Sequence, residues 1–194
     1  MCCSQAHNFA HNWPPHALPL TGALCNKGAT NIHINSLIEY KSWADSLLYE
    51  SLCQLPVPDL KEQRPMLFGS ILALLNHIYA MDVVWSSNLQ GIAHGMETRN
   101  PKDVPSFNVL RNKQSEINSW YKDYAANLSS KKSNETIKFS FIGGGVGAMK
   151  KHEILHHIVN HASYHRGHIE GVMYQMSIEP PTTDISVFLQ AKNA

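Results

Sequence analysis

The chain has 194 residues, enough for one domain with a substantial core. Sixteen basic against fifteen acidic residues leave a net charge of +1, so no overall field steers it toward nucleic acid or a membrane surface. No apolar run approaches the ~20 residues that span a bilayer. The four cysteines show no CxxC spacing and make no disulfide framework, so a reducing cytoplasm is the expected setting.

Residues 1–30 mix His, Asn, Pro and Cys without period, Trp13-Pro14-Pro15 included, and are expected to form an irregular or disordered extension. The folded domain is expected over 31–194. Leu37, Ala44, Leu48, Leu52 and Leu55 recur at helical steps and predict a first helix over about 31–54, stopped by Pro56 and Pro58. A second helix is predicted over about 66–90, with Ile71, Leu74, Leu75, Ile78, Trp85 and Leu89 as its apolar stripe and Gly91 as its stop. Gly95, Pro101 and Pro105 mark a loop. A third helix follows over about 106–128, with Leu110, Ile117, Tyr121 and Leu128 facing inward.

The period then changes. Thr136 to Ile142 is β-branched and aromatic and runs into Gly143-Gly144-Gly145, which predicts a short strand-like segment and a tight turn, with no partner strand recognisable. A fourth helix is predicted over about 149–176 and is closed by Pro180-Pro181. Four long helices on mostly short links predict an all-α fold, a four-helix bundle.

Six of the twelve histidines lie between His152 and His168. Residues four apart on a helix differ by about 40° in azimuth and about 6 Å in height, so His161 and His165 can share one divalent metal. His157, His161 and His165 follow steps of four, and His161, His165 and His168 steps of four and three; spacing alone does not choose among them. Two ligands on one helix need at least a third from elsewhere. His77, between Leu74 and Ile78 on the second helix's apolar stripe, is the candidate. A buried imidazole there needs either a metal or a hydrogen bond to a carbonyl or a Tyr, and both readings stay open. Asp82, five residues after His77, is rotated well away from it. Arg166 is expected to support the bundle or an interface, Glu153 and Glu170 to be solvated charges, Trp43 and Trp85 to be core, and Cys53 to be a small buried apolar residue.

Several motifs together resemble the DinB-like (YfiT-like) metalloenzymes over about residues 31–190: Tyr40-Lys41-Ser42-Trp43-Ala44-Asp45, Asn76-His77 ahead of Trp85 and Leu89-Gln90-Gly91, and Asn160-His161-Ala162-Ser163-Tyr164-His165-Arg166-Gly167-His168 followed by Glu179-Pro180-Pro181 and Asp184 to Leu189. The resemblance implies a four-helix bundle, often a homodimer, with metal ligands at His77, His161 and His165. His168 stands where Gln is common, so it is also a candidate ligand or supporting base, and Asp45 replaces a frequent Asn. The implied metal is divalent: Zn, Ni or Fe all accept imidazole. Three neutral imidazoles leave positions for water or substrate. The implied function is a metal-dependent thiol S-transferase or hydrolase acting on a small organic substrate, with a low-molecular-weight thiol as the candidate partner. The alternative is a non-catalytic metal-binding, stress-associated bundle.

Overall fold

The computed structural model describes residues 29–193. The irregular extension expected over 1–30 lies outside them, except for its last two residues, which begin the first helix. The elements are α1 (Ala29–Leu52), α2 (Val57–Lys61), α3 (Ile71–Gln90), α4 (Phe107–Ala126), α5 (Ser130–Ser133), β1 (Thr136–Ser140), β2 (Val146–Lys150), α6 (Lys151–Gln175) and α7 (Ile185–Asn193). The four long helices are the four that the periodicity predicts. They form the bundle, α1 packing on α4 and α6, and α3 on α4 and α6. No helix among the described residues is long and apolar enough to cross a membrane.

The bundle holds together because the predicted stripes are its core. Ala44, Leu48, Leu52, Leu74, Leu75, Leu110, Tyr121, Ile154 and Leu155 are all buried, and the core separates into two large clusters and a small one of Ala80, Met81 and Val84. Burying one such Leu contributes roughly 1.5–3 kcal/mol relative to leaving it in water. α7 extends the cluster that holds Tyr40: Phe188 lies 5.9 Å from the Tyr40 ring and 5.6 Å from the Trp43 ring. Pro56 and Pro58, which end α1, also start the single turn of α2, where Pro58 needs no amide hydrogen.

Two boundaries depart from expectation. α3 begins at Ile71 instead of near Met66, because Phe68 (φ +62°) and Gly69 (φ +79°) are left-handed and cannot continue a right-handed helix. Ser70 supplies the cap, its Oγ accepting from the Ala73 amide at 3.2 Å. The strand-like segment does have a partner: β1 and β2 form an antiparallel hairpin with Phe139 opposite Gly147. Its turn runs through Gly143, Gly144 and Gly145, all at φ near +90° to +106°, where side chains are strained. A Cβ on Gly147 would lie 2.7 Å from the Phe139 ring, so that glycine lets the ring lie flat across the second strand. The ring thereby reaches Trp85 edge-on at 4.9 Å, which sets the hairpin against α3.

Candidate metal centre

His77 is placed by α3 and fixed by the loop that follows it. Its Nδ1 lies 2.7 Å from the Arg99 carbonyl oxygen, and the neighbouring Asn76 donates Nδ2–H to the Pro101 carbonyl at 3.2 Å. A carbonyl can only accept, so the His77 proton sits on Nδ1 and a lone pair on Nε2. The two readings left open for this residue are therefore compatible, because a carbonyl on one ring nitrogen is the usual way of orienting the other toward a metal.

That Nε2 points at α6. It lies 3.2 Å from Nε2 of His161, which in turn is 3.1 Å from Nε2 of His165. All three donor atoms fall within 4.8 Å of one another. With Zn–N bonds of 2.0–2.1 Å and tetrahedral angles, ligand nitrogens sit about 3.3 Å apart, so the spacings from His161 to His77 and to His165 fit a shared first-row cation. Without one, lone pairs on converging nitrogens face each other, and a single proton on His161 Nε2 can serve only one of its two neighbours.

Electrostatics favour the unprotonated donors such a site needs. Burial lowers the His161 pKa to about 3, helped by the neighbouring His165 and His77. Burial likewise lowers His165 to about 4, again with His77 adding to the effect. His77 is lowered mainly by burial; its bond to the Arg99 carbonyl opposes this and the Arg99 charge reinforces it. All three rings are neutral at pH 7, ready to coordinate without releasing protons.

Above the imidazoles opens a cavity of about 460 Å³. α3 contributes Met81, Val84 and Trp85 to its wall, and the hairpin contributes Phe139, Phe141 and Ile142. Phe68 closes one side, its ring 4.3 Å from that of His77. No Asp or Glu among the described residues lines the cavity.

The family model for the DinB family matches residues 26–193. The chain belongs to the DinB family. It is also similar to Protein DinB of Bacillus subtilis (strain 168), with 26% identity over 163 residues, covering 79% of this chain and 91% of that protein.

The other sequence candidates sort cleanly within this family framework. His157 is beside the trio but not part of its converging nitrogens: its ring is 5.9 Å from His161 and edge-on to Trp85 at 4.9 Å. His168 stands beyond His165, ring centres 5.9 Å apart, with Tyr164 at 4.4 Å. Asp82 does point away from His77, and Arg166 does serve the bundle, donating to the Tyr40 hydroxyl at 2.8 Å. Three expectations need correction, the first being Glu153, which is not simply a solvated charge because its Oε2 accepts from the Lys150 amide at 2.7 Å and caps α6. Cys53 is exposed, because it follows the last residue of α1, and its Sγ accepts from Arg111 at 3.0 Å. Glu170 is not a purely solvated charge: its Oε1 accepts from the Thr183 hydroxyl at 2.9 Å. Trp85 is core, as expected, and is also cavity wall.

Sequence reasoning missed Phe68, Arg99 and the hairpin aromatics as site residues. Loops carry no period, so nothing in the residues 62–70 or 91–106 says that they fold over His77. The Asn76-His77 pair was the available signal, since adjacent polar residues on an apolar stripe call for partners.

Proposed function

We propose that the protein is a metal-dependent enzyme in which the Nε2 atoms of His77, His161 and His165 hold a divalent ion, Zn, Ni or Fe, and a small organic substrate occupies the cavity above. The observation that carries this is the convergence of three neutral imidazole nitrogens on the floor of an apolar-walled pocket. When bound, such an ion lowers the pKa of a coordinated water or thiol and so supplies a nucleophile at neutral pH. The protein's own part is to hold the three rings unprotonated, to orient His77 through the Arg99 carbonyl, and to shed water with Phe68, Trp85 and the hairpin aromatics.

Thiol S-transfer fits this lining better than hydrolysis. Forming a carbon–sulfur bond removes one proton from the thiol while the leaving group departs with its electron pair. Amide hydrolysis also needs a proton delivered to the leaving nitrogen, yet no carboxylate among the described residues lines the cavity. Burial lowers the pKa of His157, the remaining imidazole on the lining, making it a poor proton carrier at neutral pH. The same lack of an acid–base pair is what supports the second reading, a non-catalytic metal-binding bundle.

The test begins with elemental analysis of protein purified without a histidine tag. It continues with a panel of low-molecular-weight thiols against an electrophilic haloarene, and of esters and amides. Turnover that chelation abolishes and added metal restores is the expected result. Stoichiometric metal, a melting temperature that falls on chelation, and no metal-dependent turnover anywhere in the panel would leave the non-catalytic reading standing.

A further inference from the structure

Among the described residues, Arg99 is the only lysine or arginine that lines the cavity, and no carboxylate lines it. Among the described residues its guanidinium makes no ion pair, and its one hydrogen bond is a long one, 3.4 Å from Nη2 to the Ile142 carbonyl. A guanidinium carries five N–H donors in a flat fork, so most of this one faces outward unmatched. It spans the mouth from the 91–106 loop to the hairpin, with Nη2 4.0 Å from where a Cβ on Gly143 would lie. The backbone of the same residue orients His77 by its carbonyl, so the main chain of Arg99 is anchored beside the imidazole floor and its exposed side chain reaches the mouth from there.

An unpaired cation beside carbon-rich walls selects for a particular ligand: an anionic end joined to an apolar body. A single guanidinium matches one carboxylate in a two-point fork, whereas a phosphate dianion would bring a charge with no second cation on the lining to meet it. We infer that the pocket takes small organic monocarboxylates, with the carboxylate on Arg99 at the mouth and the apolar body against Trp85, Phe139 and Phe141. This deepens the function proposed above and rests on it only for the location of the reacting end, over the three imidazoles. Arg99 is thus a specificity residue for substrate charge.

The test is calorimetric binding of a matched trio, 4-phenylbutanoate, 4-phenylbutanamide and 4-phenylbutyl phosphate, to zinc-loaded and to metal-free protein. Wild-type protein binds the carboxylate about tenfold or more tighter than the amide in both forms, and tighter than the phosphate. Arg99→Gln abolishes that preference, leaves the amide within about twofold, and binds the same equivalents of zinc. Arg99→Lys keeps part of the preference. The inference is overturned if the preference survives in Arg99→Gln, if the phosphate binds tightest, or if the carboxylate does not bind at millimolar concentration. The metal-free arm separates this outcome from failure of the metal site. A protein that takes up no zinc yet shows an Arg99-dependent preference refutes the metal reading alone.

Discussion

The bundle carries two polar assemblies a short way apart along the same helices, and they solve the problem of burial in opposite ways. One is charged and neutralises itself. Lys41, fully buried on α1, reaches Asp82 at 2.7 Å, Asn118 at 2.7 Å and Asp45 at 2.9 Å. Gln114 donates to Asp82 at 2.8 Å, Asn118 to Asp45 at 3.1 Å, and Arg166 lies 3.5 Å from Asp45. Burial alone would lower the Lys41 pKa, but Asp45 and Asp82 outweigh it and the net shift is upward. The other assembly, the imidazole trio, is uncharged and neutralises nothing. Its donor atoms face each other across a gap and open onto a cavity. α3 contributes to both, His77 to one and Asp82, five residues on, to the other. A polar cluster whose charges close on one another ties α1, α3 and α4 together, while one that presents only lone pairs has room for an outside cation.

The largest expected effect comes from breaking the closed assembly. Lys41→Met keeps the bulk and removes the charge, leaving Asp45 and Asp82 buried without their main counter-ion. Removing one partner of a buried pair costs about 3–5 kcal/mol. Urea unfolding of Lys41→Met should show a loss of that size, and adding Asp82→Asn should recover part of it. A loss under about 1 kcal/mol would mean the network is no more than a surface-type pairing. The open assembly should respond in the reverse manner. His77→Ala should lower metal affinity by more than about 100-fold, beyond the 10–100-fold typical of groups that merely support a ligand, while circular dichroism stays essentially that of the native bundle. Metal retained at one equivalent would remove His77 from the site.

These two assemblies were unequally legible in the sequence. Helix periodicity located all four long helices. The i,i+4 spacing on α6 and the place of His77 on an apolar stripe only narrowed the imidazoles, and it was the family resemblance that implied His77, His161 and His165. The ion network went unread, although Lys41 falls in step with Leu37, Ala44 and Leu48 on the buried face of α1. A charge within an apolar stripe was the clue, but its partners come from helices whose rotation the sequence does not state. β2 escaped for a related reason. Val146-Gly147-Ala148-Met149-Lys150 has little strand character by itself and is defined by pairing with β1. Phe68 and the start of α3 were misplaced because a left-handed aromatic residue has no compositional mark.

A smaller effect, in pH, also separates the two assemblies. An unfolded chain protonates its histidines near pH 6.5, whereas the folded chain keeps His165 and His161 neutral down to about 4 and about 3. Above 6.5 neither state binds protons at these rings, so they add no pH dependence. As pH falls below 6.5 the unfolded state takes up protons that the folded state refuses, and stability declines until the folded values are passed. Metal-free protein should therefore show a lower urea midpoint at pH 5.5 than at 7.5. A His161→Gln, His165→Gln double variant should flatten that slope while the Lys41 network stays intact. An unchanged slope in the double variant would place the titrating groups elsewhere.

The smallest effect tests where the open assembly ends. His168 lies on α6 three residues past His165, the side of the trio opposite His161, and its ring sits closer to Tyr164 than to any imidazole of the site. Its Nδ1 is buried without a hydrogen-bond partner among the described residues, so replacement gives up no bond at that atom. Gln fills a similar volume and brings its own donors and acceptor. His168→Gln should shift metal affinity by less than about tenfold, under 1.4 kcal/mol, and leave stability within about 0.5 kcal/mol, as read from a zinc competition titration and urea unfolding. A larger loss of affinity would mean that the ring swings into the coordination sphere once an ion is bound. The lone pairs of the open assembly would then number four, and the coordination position left for substrate would be the one His168 takes.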